Sequence, residues 1–410
     1  CLLSRGLGDV YKRQVIVSVT IFLGMFFQGA DVRAEEAETS QVTLEAKSYV
    51  LMEGSTGKII CERDKDKELM PASITKIMTL LLIFESLDEK KISMEKEVTV
   101  SEHAASMGGS QVFLEPGEVQ TVKAMIKCIT VSSANDACVA MAEFISGSEE
   151  AFVEKMNQKA KELGMEHTHF VNCCGLDDGV TEKEHYSTAY DIALMSRALI
   201  MNHPEITEFT TIWMDTITHV TKRGEKEFGL SNTNKLVRTY NGITGLKTGS
   251  TSKAKYCLSA TAQRNGMNMI AVVMAAPEPN SRFKEAAKLL DYGFANCKLY
   301  CDENKSLKGK KLDIKKGKKE VIPVEPQGNF SYICTVGENA DSINKKIIWN
   351  EPVVAPIKKG AELGKVIYYY GEKKIGEISV VAVENVEKAK YTDYLREGVM
   401  DFFLLKGADE

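Results

Sequence analysis

The sequence has little excess of either charge. Its 52 basic and 57 acidic side chains give a net charge of −5. Such a balance creates no overall positive field for binding nucleic acid. Hydrophobic residues make up 44% of the chain and charged residues 27%, values typical of globular proteins and unlike disordered or fibrous ones. We therefore expect two or three globular domains in 410 residues and no nucleic-acid partner.

A long apolar stretch is missing near the N-terminus, where a shorter one occurs. Val15–Phe27 has 13 residues, whereas a membrane-spanning helix needs about 20. It follows Lys12-Arg13 and precedes Val32-Arg33-Ala34, an order typical of a secretory signal with a small-residue cleavage site. The sequence thus predicts a signal peptide over 1–34, a leader over 35–46, and export. The chain does not begin with Met and residues 1–11 do not resemble the start of a signal, so they contribute nothing to the predicted fold.

The pattern C-x-x-C is absent, which leaves a zinc ribbon or a thioredoxin-like site without its ligands. Cleavage after Ala34 would leave nine cysteines, an odd number that cannot all pair within one chain. His167 and His169 could share a strand face, but no further ligand completes a metal site. His185 precedes a predicted helix and is expected to cap it. The sequence predicts no metal, no cofactor and thiols without a catalytic role.

The order of elements predicts an α+β fold. Two strands come first, many helices follow, and three strands and a helix close the region, which indicates an antiparallel sheet covered by helices. The first hairpin is expected to join the last three strands. The predicted strands are Ser48–Glu53, Lys58–Arg63, Gly242–Ser250, Tyr256–Gln263 and Met267–Ala275. The predicted helices include Ser73–Leu87, Ala137–Ile145, Glu149–Leu163, Ala189–Met201 and Arg282–Phe294.

Composition changes near residue 300. Lys305–Lys319 holds eight lysines, and short alternating runs separated by glycine-containing turns follow. These features predict a larger domain over 47–300 and a small all-β domain over 301–388. A tail over 389–410 contains Tyr391–Lys406, whose apolar residues fall on one helical face. This amphipathic helix could lie on a membrane surface or pack on the β domain, and the sequence leaves both open.

Ser73-Ile74-Thr75-Lys76 is the first motif with chemical meaning. Residues three apart on a helix share a face, so the amine of Lys76 can reach the hydroxyl of Ser73. A neutral lysine there can take the serine proton and activate the oxygen as a nucleophile. The pattern S-x-x-K alone is weak, because it occurs seven times in this chain. Ser73 differs from the others because it begins the most apolar helix, where backbone N–H groups can stabilise a developing negative charge.

Two further motifs strengthen this interpretation. Ser133-Ala134-Asn135 lies between helical segments and offers a hydroxyl for proton relay and an amide for a substrate carbonyl. Lys247-Thr248-Gly249 lies on a predicted strand, where Lys and Thr can bind a carboxylate and Gly lets substrate approach the backbone. The order S-x-x-K, S-x-N, K-T-G, each in its expected element, favours acyl transfer to serine.

These motifs are the signature shared by penicillin-binding proteins and class A β-lactamases. More specifically, the chain resembles the low-molecular-mass penicillin-binding proteins that are D-alanyl-D-alanine carboxypeptidases of the peptidase S11 family. The resemblance extends from about Lys47 to Val386 and includes PASITKIMTLLL, VSSANDA, NTNKLVRTYNGITGLKTGST and SRFKEAAKLLDYGF. It implies a penicillin-binding-protein/β-lactamase-like catalytic domain followed by the family's small C-terminal β domain, with the amphipathic tail in the place of a membrane anchor.

The resemblance also implies roles for individual residues. It makes Ser73 the acylated nucleophile, Lys76 its general base and Ser133 part of the proton relay. The implied substrate-binding residues are Asn135, Lys247, Thr248, Gly249, Ser250 and Arg282. The backbone N–H groups of Ser73 and Ser250 would form the oxyanion hole. The implied partners are peptidoglycan stem peptides ending in D-Ala-D-Ala and β-lactam antibiotics as covalent inhibitors, which places the protein at the outer face of the cytoplasmic membrane or in the cell wall space.

Two departures and two alternatives accompany this hypothesis. Ala254-Lys255 stands where the family usually has Ala-Gly, and Cys173-Cys174 replaces a more usual proline-containing or Asn-Pro-like turn. A β-lactamase is one alternative, although the E-x-x-x-N pattern of class A enzymes is absent between Asn135 and Lys247. A sensor that binds peptidoglycan or β-lactams without turnover is the other.

Overall fold

The computed structural model describes residues 42–221 and 224–402. The α-helices are α1 Lys76–Asp88, α2 Glu102–Ala105, α3 Val122–Val131, α4 Asn135–Ser146, α5 Glu149–Glu162, α6 Ala189–Asn202, α7 Thr207–Thr210, α8 Leu236–Thr239, α9 Ser281–Asn296 and α10 Tyr391–Phe402. The strands up to residue 276 are β1 Ser48–Glu53, β2 Ile59–Arg63, β3 Glu97–Thr99, β4 Val119–Thr121, β5 Met214–Thr221, β6 Gly224–Ser231, β7 Ile243–Thr251, β8 Lys255–Arg264 and β9 Met267–Ala276. Those that follow are β10 Lys298–Asp302, β11 Lys310–Asp313, β12 Val321–Pro326, β13 Phe330–Cys334, β14 Ile343–Trp349, β15 Glu362–Tyr370 and β16 Lys373–Ala382. The predicted signal peptide lies outside the described residues.

A five-stranded antiparallel sheet organises the first part of the chain, in the order β2-β1-β9-β8-β7. The N-terminal hairpin joins the C-terminal strands as predicted, since β1 pairs with β9 in a register that opposes Val50 to Val272. Asn265 and Gly266 connect β8 to β9 with φ of 51° and 77°, the left-handed values that a tight hairpin turn requires. The helices cover this sheet, and the predicted fold class is confirmed.

Helix α1 is buried almost all round. Ten of its 13 residues are buried, because its apolar side chains occupy most positions rather than one stripe. The predicted helix start at Ser73 is wrong, however. Ser73 lies in a separate 3₁₀ turn, Ala72–Thr75, and the α-helix begins at Lys76. Ala72 has a left-handed φ of 49°, which continuous α-helix does not allow, and side-chain periodicity does not reveal such a backbone.

The segment between α3 and α4 is short and strained. Ser133 has φ of 60°, a left-handed value that is uncommon for residues other than glycine. It lies between Ser132, which caps the end of α3, and Ala134, which caps the start of α4. Ser133 is therefore between helical segments as predicted, whereas Asn135 is the first residue of α4.

The hairpin of β5 and β6 was not predicted from the sequence. Its eight-residue strands pair from Met214 opposite Ser231 to Thr221 opposite Gly224. Most of its side chains are exposed. Thr, His, Lys and Glu therefore occupy many positions that are apolar in a strand with one buried face. A hairpin packed at the surface has too little apolar alternation to be recognised from the sequence.

The last part of the described chain is a separate β structure with its own core. Its five-stranded sheet has the order β11-β12-β16-β15-β14, and β10 and β13 form a two-stranded sheet beside it. Val324, Val366, Tyr368 and Val380 are fully buried in this core. The predicted small all-β structure is therefore present.

Helix α10 follows the β structure and has four exposed large apolar side chains among those described. Tyr391, Tyr394, Leu395 and Val399 are 80%, 49%, 58% and 48% exposed. The predicted tail helix is present over Tyr391–Phe402, and 403–410 lie outside the described residues. Among the helices described, none is long and apolar enough to span a membrane.

Candidate active site

Ser73 lies at the junction of the 3₁₀ turn and α1, half-buried. The side chains of residues three apart line up in a 3₁₀ turn, and this brings Ser73 over Lys76. Lys76 Nζ donates a hydrogen bond of 3.0 Å to Ser73 Oγ. The first predicted contact is therefore present, although a 3₁₀ turn rather than an α-helix produces it.

Lys76 is fully buried and held from three sides. Besides Ser73, its Nζ donates to Asn135 Oδ1 at 2.6 Å and to the Cys174 carbonyl at 2.8 Å. An ammonium group has three hydrogens, and each finds an acceptor here. Lys76 is thus fixed in position beside the serine without a carboxylate partner among these contacts.

Lys247 joins the second and third motifs. It is 1% exposed, and its Nζ donates to Ser133 Oγ at 2.8 Å and to the Thr248 carbonyl at 3.2 Å. Burial lowers the pKa of Lys247 well below its ordinary value, and the positive charges of Lys76 and Arg282 lower it further. Because the left-handed backbone of Ser133 turns its hydroxyl toward this strand, two lysines flank the hydroxyl groups of the site.

Asn135 connects the site to the loop before β4. Its Oδ1 accepts from Lys76, its Nδ2 donates to the Gly108 carbonyl at 2.7 Å, and its backbone N–H donates to Ser110 at 2.7 Å. The amide therefore orients Lys76 as well as the loop. From the sequence, Asn135 is expected only to bind substrate.

Strand β7 supplies the remaining predicted residues. Thr248 Oγ1 donates to Thr233 Oγ1 at 2.7 Å, and Ser250 is exposed. Arg282, at the start of α9, donates to the Gly249 carbonyl at 3.0 Å and so helps to fix the strand. Burial lowers the pKa of Arg282 from its ordinary value. The structure thus brings all the predicted site residues to one place, where β7 meets the turn and the start of α4.

Gly249 lies directly against the turn that carries Ser73. A Cβ at this position would lie 2.7 Å from the Pro71 carbonyl oxygen and 3.0 Å from the Ile74 nitrogen. The sequence analysis expected this glycine to admit substrate. The structure gives a further reason, which is close packing between the strand and the turn.

Gly249→Ala is expected to displace the turn and lower kcat by about 100-fold, because a shift of about 1 Å at a reacting group has that effect. Overpacking should also lower the melting temperature by several degrees. Gly229→Ala is the matched control, since no atom lies within 4 Å of a Cβ there. Melting curves and acylation rates of both variants test this, and equal behaviour of the two would contradict it.

Several residues around the turn were missed or misassigned. The Cys174 carbonyl binds Lys76, and a Cβ on Gly175 would overlap the Ala72 carbonyl, so the Cys173-Cys174 turn shapes the site through its backbone.

His185 does not cap a helix. It is buried, its Nε2 lies 2.9 Å from Thr75 Oγ1 and its Nδ1 accepts from the Val171 N–H, while burial lowers its pKa to about 4. The sequence near these residues gives no indication of the contacts of Lys76 with Cys174 and of Thr75 with His185, because they join segments about 100 residues apart.

Comparison with known families agrees with this geometry. Residues 34–278 match the family model described as D-alanyl-D-alanine carboxypeptidase, peptidase S11. The chain belongs to the peptidase S11 family. Residues 294–388 match the C-terminal domain of penicillin-binding protein 5. The family and the enzyme class predicted from the sequence, a serine-type D-alanyl-D-alanine carboxypeptidase, are confirmed.

Individual members of the family resemble the chain over most of its length. It is 43% identical to D-alanyl-D-alanine carboxypeptidase DacF of Bacillus subtilis over 388 residues, 95% of this chain and 98% of the relative. Penicillin-binding protein 5 from Haemophilus influenzae has a similar structure, with a TM-score of 0.71 and 29% identity over 84% of this chain and 98% of that one. Penicillin-binding protein D2 from Listeria monocytogenes, solved in its ampicillin-bound form, has a TM-score of 0.54 and 31% identity over 62% of this chain and 99% of that one.

Proposed function

We propose that this S11 enzyme removes the terminal D-alanine from peptidoglycan stem peptides through an acyl-enzyme on Ser73. The contact that supports this best is the 3.0 Å hydrogen bond between Lys76 Nζ and Ser73 Oγ. Lys76 is buried and bound by Asn135 and Cys174, so its amine stays aimed at the hydroxyl. A nucleophile and a base held at such a distance are the arrangement that acyl transfer requires.

In the contacts described above, Lys76 donates to Ser73 as an ammonium group. Acylation requires the neutral form of Lys76, whose nitrogen lone pair faces Ser73 Oγ and accepts its proton. The Oγ then bonds to the carbonyl carbon of the penultimate D-alanine, and the carbonyl oxygen takes the negative charge. Backbone N–H groups of Ser73 and Ser250 are the proposed donors to this oxyanion. The packing of Gly249 against the Ile74 nitrogen supports this assignment, because it places β7 beside the turn that carries Ser73.

The leaving D-alanine needs a proton on its nitrogen as the C–N bond breaks. Ser133 is the proposed donor. Its Oγ accepts from Lys247, so the hydroxyl hydrogen of Ser133 can point toward the leaving nitrogen. Ser133 then recovers a proton from Lys76, which carries the one taken from Ser73, and Lys247 keeps its charge. In the second half of the reaction, water attacks the ester carbonyl, gives a proton to the base, and releases Ser73 with its hydrogen restored.

The free carboxylate of the substrate is proposed to bind at β7. Lys247 supplies positive charge, Thr248 and Ser250 supply hydroxyl groups, and Arg282, bound to the Gly249 carbonyl, adds further positive charge. The second N–H of the Asn135 amide is assigned to a substrate carbonyl, since the first binds Gly108.

The test is D-alanine release from an N-acylated peptide ending in D-Ala-D-Ala, with the L-Ala-L-Ala peptide as control. We expect many equivalents of D-alanine to be released per enzyme molecule, and only from the peptide with the D-configuration. A β-lactamase would instead hydrolyse penicillin in many fast turnovers without accumulating acyl-enzyme, and a sensor would acylate without releasing D-alanine beyond one equivalent. Either result would overturn the carboxypeptidase assignment.

Penicillin is proposed to acylate the same serine. The Listeria relative, solved in its ampicillin-bound form, shares the fold of the catalytic part of this chain. Mass spectrometry of the protein incubated with ampicillin should show one added antibiotic, located by peptide mapping on the segment that contains Ser73.

The charge of Lys247 predicts how activity depends on pH. Because burial and nearby cations lower its pKa, Lys247 loses its proton at a lower pH than an exposed lysine, for which the pKa is about 10.4. A neutral amine cannot ion-pair with the substrate carboxylate. We therefore expect kcat/KM to fall about tenfold per pH unit above the lowered pKa, with KM rising.

Lys247→Arg tests this assignment, because arginine stays charged throughout the range. The alkaline limb of the kcat/KM profile should move to higher pH in this variant, even if its maximum is reduced. If the activity of the variant falls at the same high pH as that of the wild type, a group other than Lys247 causes the loss of activity.

We also propose export to the outer face of the cytoplasmic membrane, with helix α10 bound to the membrane surface. The signal-like sequence over 1–34 supports export. The exposed apolar side chains of Tyr391, Tyr394, Leu395 and Val399 support surface binding, because together they form an apolar helix face open to solvent.

Cosedimentation with phosphatidylglycerol/phosphatidylethanolamine vesicles tests this surface binding. Leu395→Asp is expected to lower vesicle affinity about tenfold or more, since leucine burial contributes about 1.5–3 kcal/mol. Thr392→Asp adds the same charge at an exposed polar position and should have a smaller effect. Equal losses, or no binding by the wild type, would refute the proposal.

A further inference from the structure

Three potential metal ligands meet at the end of α1 that lies away from Ser73. Asp88 is the last residue of α1, while His203 and Glu205 follow α6 and enter the 3₁₀ turn Pro204–Ile206. One side-chain nitrogen or oxygen from each of the three residues lies within 4.8 Å of the others. With 13 residues and a rise of about 1.5 Å each, α1 separates this cluster from Lys76 by roughly 18 Å.

His203 provides an independent indication of a ligand. The residue is only 4% exposed and packs against Phe84, with 6.0 Å between ring centroids. Its Nδ1 is 3.0 Å from Asp88 Oδ2, a distance that suits an ion pair only when the ring is protonated, and within the described ranges this buried nitrogen has no hydrogen-bond partner. Leaving such an atom unsatisfied costs free energy.

A metal ion accounts for both the short distance and the missing hydrogen bond. A cation on the lone-pair axis of the ring nitrogen holds neighbouring ligands at roughly tetrahedral angles, so a ligating carboxylate oxygen lies well off that axis. A direct hydrogen bond would instead place the oxygen along the axis. The 3.0 Å separation of His203 Nδ1 and Asp88 Oδ2 without a hydrogen bond agrees with the first arrangement.

We propose that Asp88, His203 and Glu205 bind a divalent transition-metal ion of the zinc class. One imidazole and two carboxylates form a nitrogen–oxygen ligand set that suits Zn²⁺, and the two carboxylates neutralise its charge. The side chain of Asp88 is 61% exposed, so the ion can enter from solvent and keep water as a further ligand. The bound ion joins the C-terminus of α1 to the end of α6 and stabilises that junction.

The sequence analysis predicts no metal site, and the reason is distance along the chain. Asp88 is the last residue of α1 and His203 follows α6, so the ligands do not form a compact sequence motif. His167 and His169, the pair weighed from the sequence, contact Glu68 and the Glu184 carbonyl instead.

The test is Zn²⁺ titration of the full chain by calorimetry after removal of metals with a chelator. We expect one site in the wild type, a rise in melting temperature on adding Zn²⁺, and at least a tenfold weaker affinity in Asp88→Asn and in Glu205→Gln. Both substitutions replace side chains that are not buried, so the fold should be kept. Glu208→Gln, an exposed carboxylate on α7, is the matched control and should bind like the wild type.

Cysteine could also bind zinc, so Co²⁺ substitution separates the two ligand sets. Nitrogen–oxygen ligation gives d–d bands without the thiolate charge-transfer band, and this is the expected spectrum. A thiolate band, unchanged affinity in both variants, or no binding of Zn²⁺ would overturn the site.

Discussion

Ser73→Ala is expected to stop D-alanine release and penicillin acylation, with kcat/KM reduced by about 10⁴-fold or more. The substitution removes the atom that forms the acyl bond. Lys76 keeps its hydrogen bonds to Asn135 and Cys174, so the site should otherwise remain assembled. D-alanine release and mass spectrometry after ampicillin treatment measure the effect, and a melting curve close to that of the wild type excludes unfolding as its cause.

The matched control for Ser73→Ala is Ser93→Ala. Ser93 begins another S-x-x-K pattern with Lys96, but it is exposed, and the variant should keep wild-type activity. If Ser73→Ala retained even a tenth of the wild-type release, the nucleophile would have to be sought elsewhere.

Lys76→Met should lower the acylation rate by about 10²–10⁴-fold, the usual contribution of a positioned general base. Methionine fills the space of the buried stem but cannot accept the Ser73 proton. It also removes the donor from Asn135 Oδ1 and the Cys174 carbonyl, and each unsatisfied buried acceptor costs about 1–3 kcal/mol. A lower melting temperature is therefore expected together with slow acylation by ampicillin.

Lys76→Arg distinguishes proton transfer from simple positive charge. Arginine keeps a cation near Ser73 but does not release its proton in proteins, so it should be nearly as slow as methionine while retaining more stability. Near wild-type acylation in Lys76→Arg would show that only the charge is needed. Lys96→Met, at the exposed lysine of the other pattern, is expected to change neither quantity.

Much of the fold could be predicted because its main elements have strong local patterns. The observed ends are within a few residues of the predicted ones for strands β1, β8 and β9 and for helices α6 and α9. The β5–β6 hairpin was missed because its exposed faces are polar. The helix start at Ser73 was predicted wrongly because the left-handed backbone conformation of Ala72 does not alter the periodicity of apolar side chains.

The chemistry of the site could be read from the sequence to a similar extent. The motif residues Ser73, Lys76, Ser133 and Lys247 were named before any distance was known. Their partners were not, because the Cys174 carbonyl, Thr233 and the Gly108 carbonyl act through contacts between segments far apart in the chain. Every residue has a backbone carbonyl, so a sequence motif does not reveal which carbonyl takes part in the site.

The sequence by itself determined the family, the order of the motifs and the residue types that can form an acyl-enzyme. Only the tertiary structure decided which of seven S-x-x-K patterns has its lysine buried beside a serine and bound to Asn135. It also decided that Gly249 packs against the turn and that Asp88 meets His203. Local periodicity and residue chemistry are properties of neighbours along the chain, whereas these contacts arise from how distant segments pack, and that depends on the whole core.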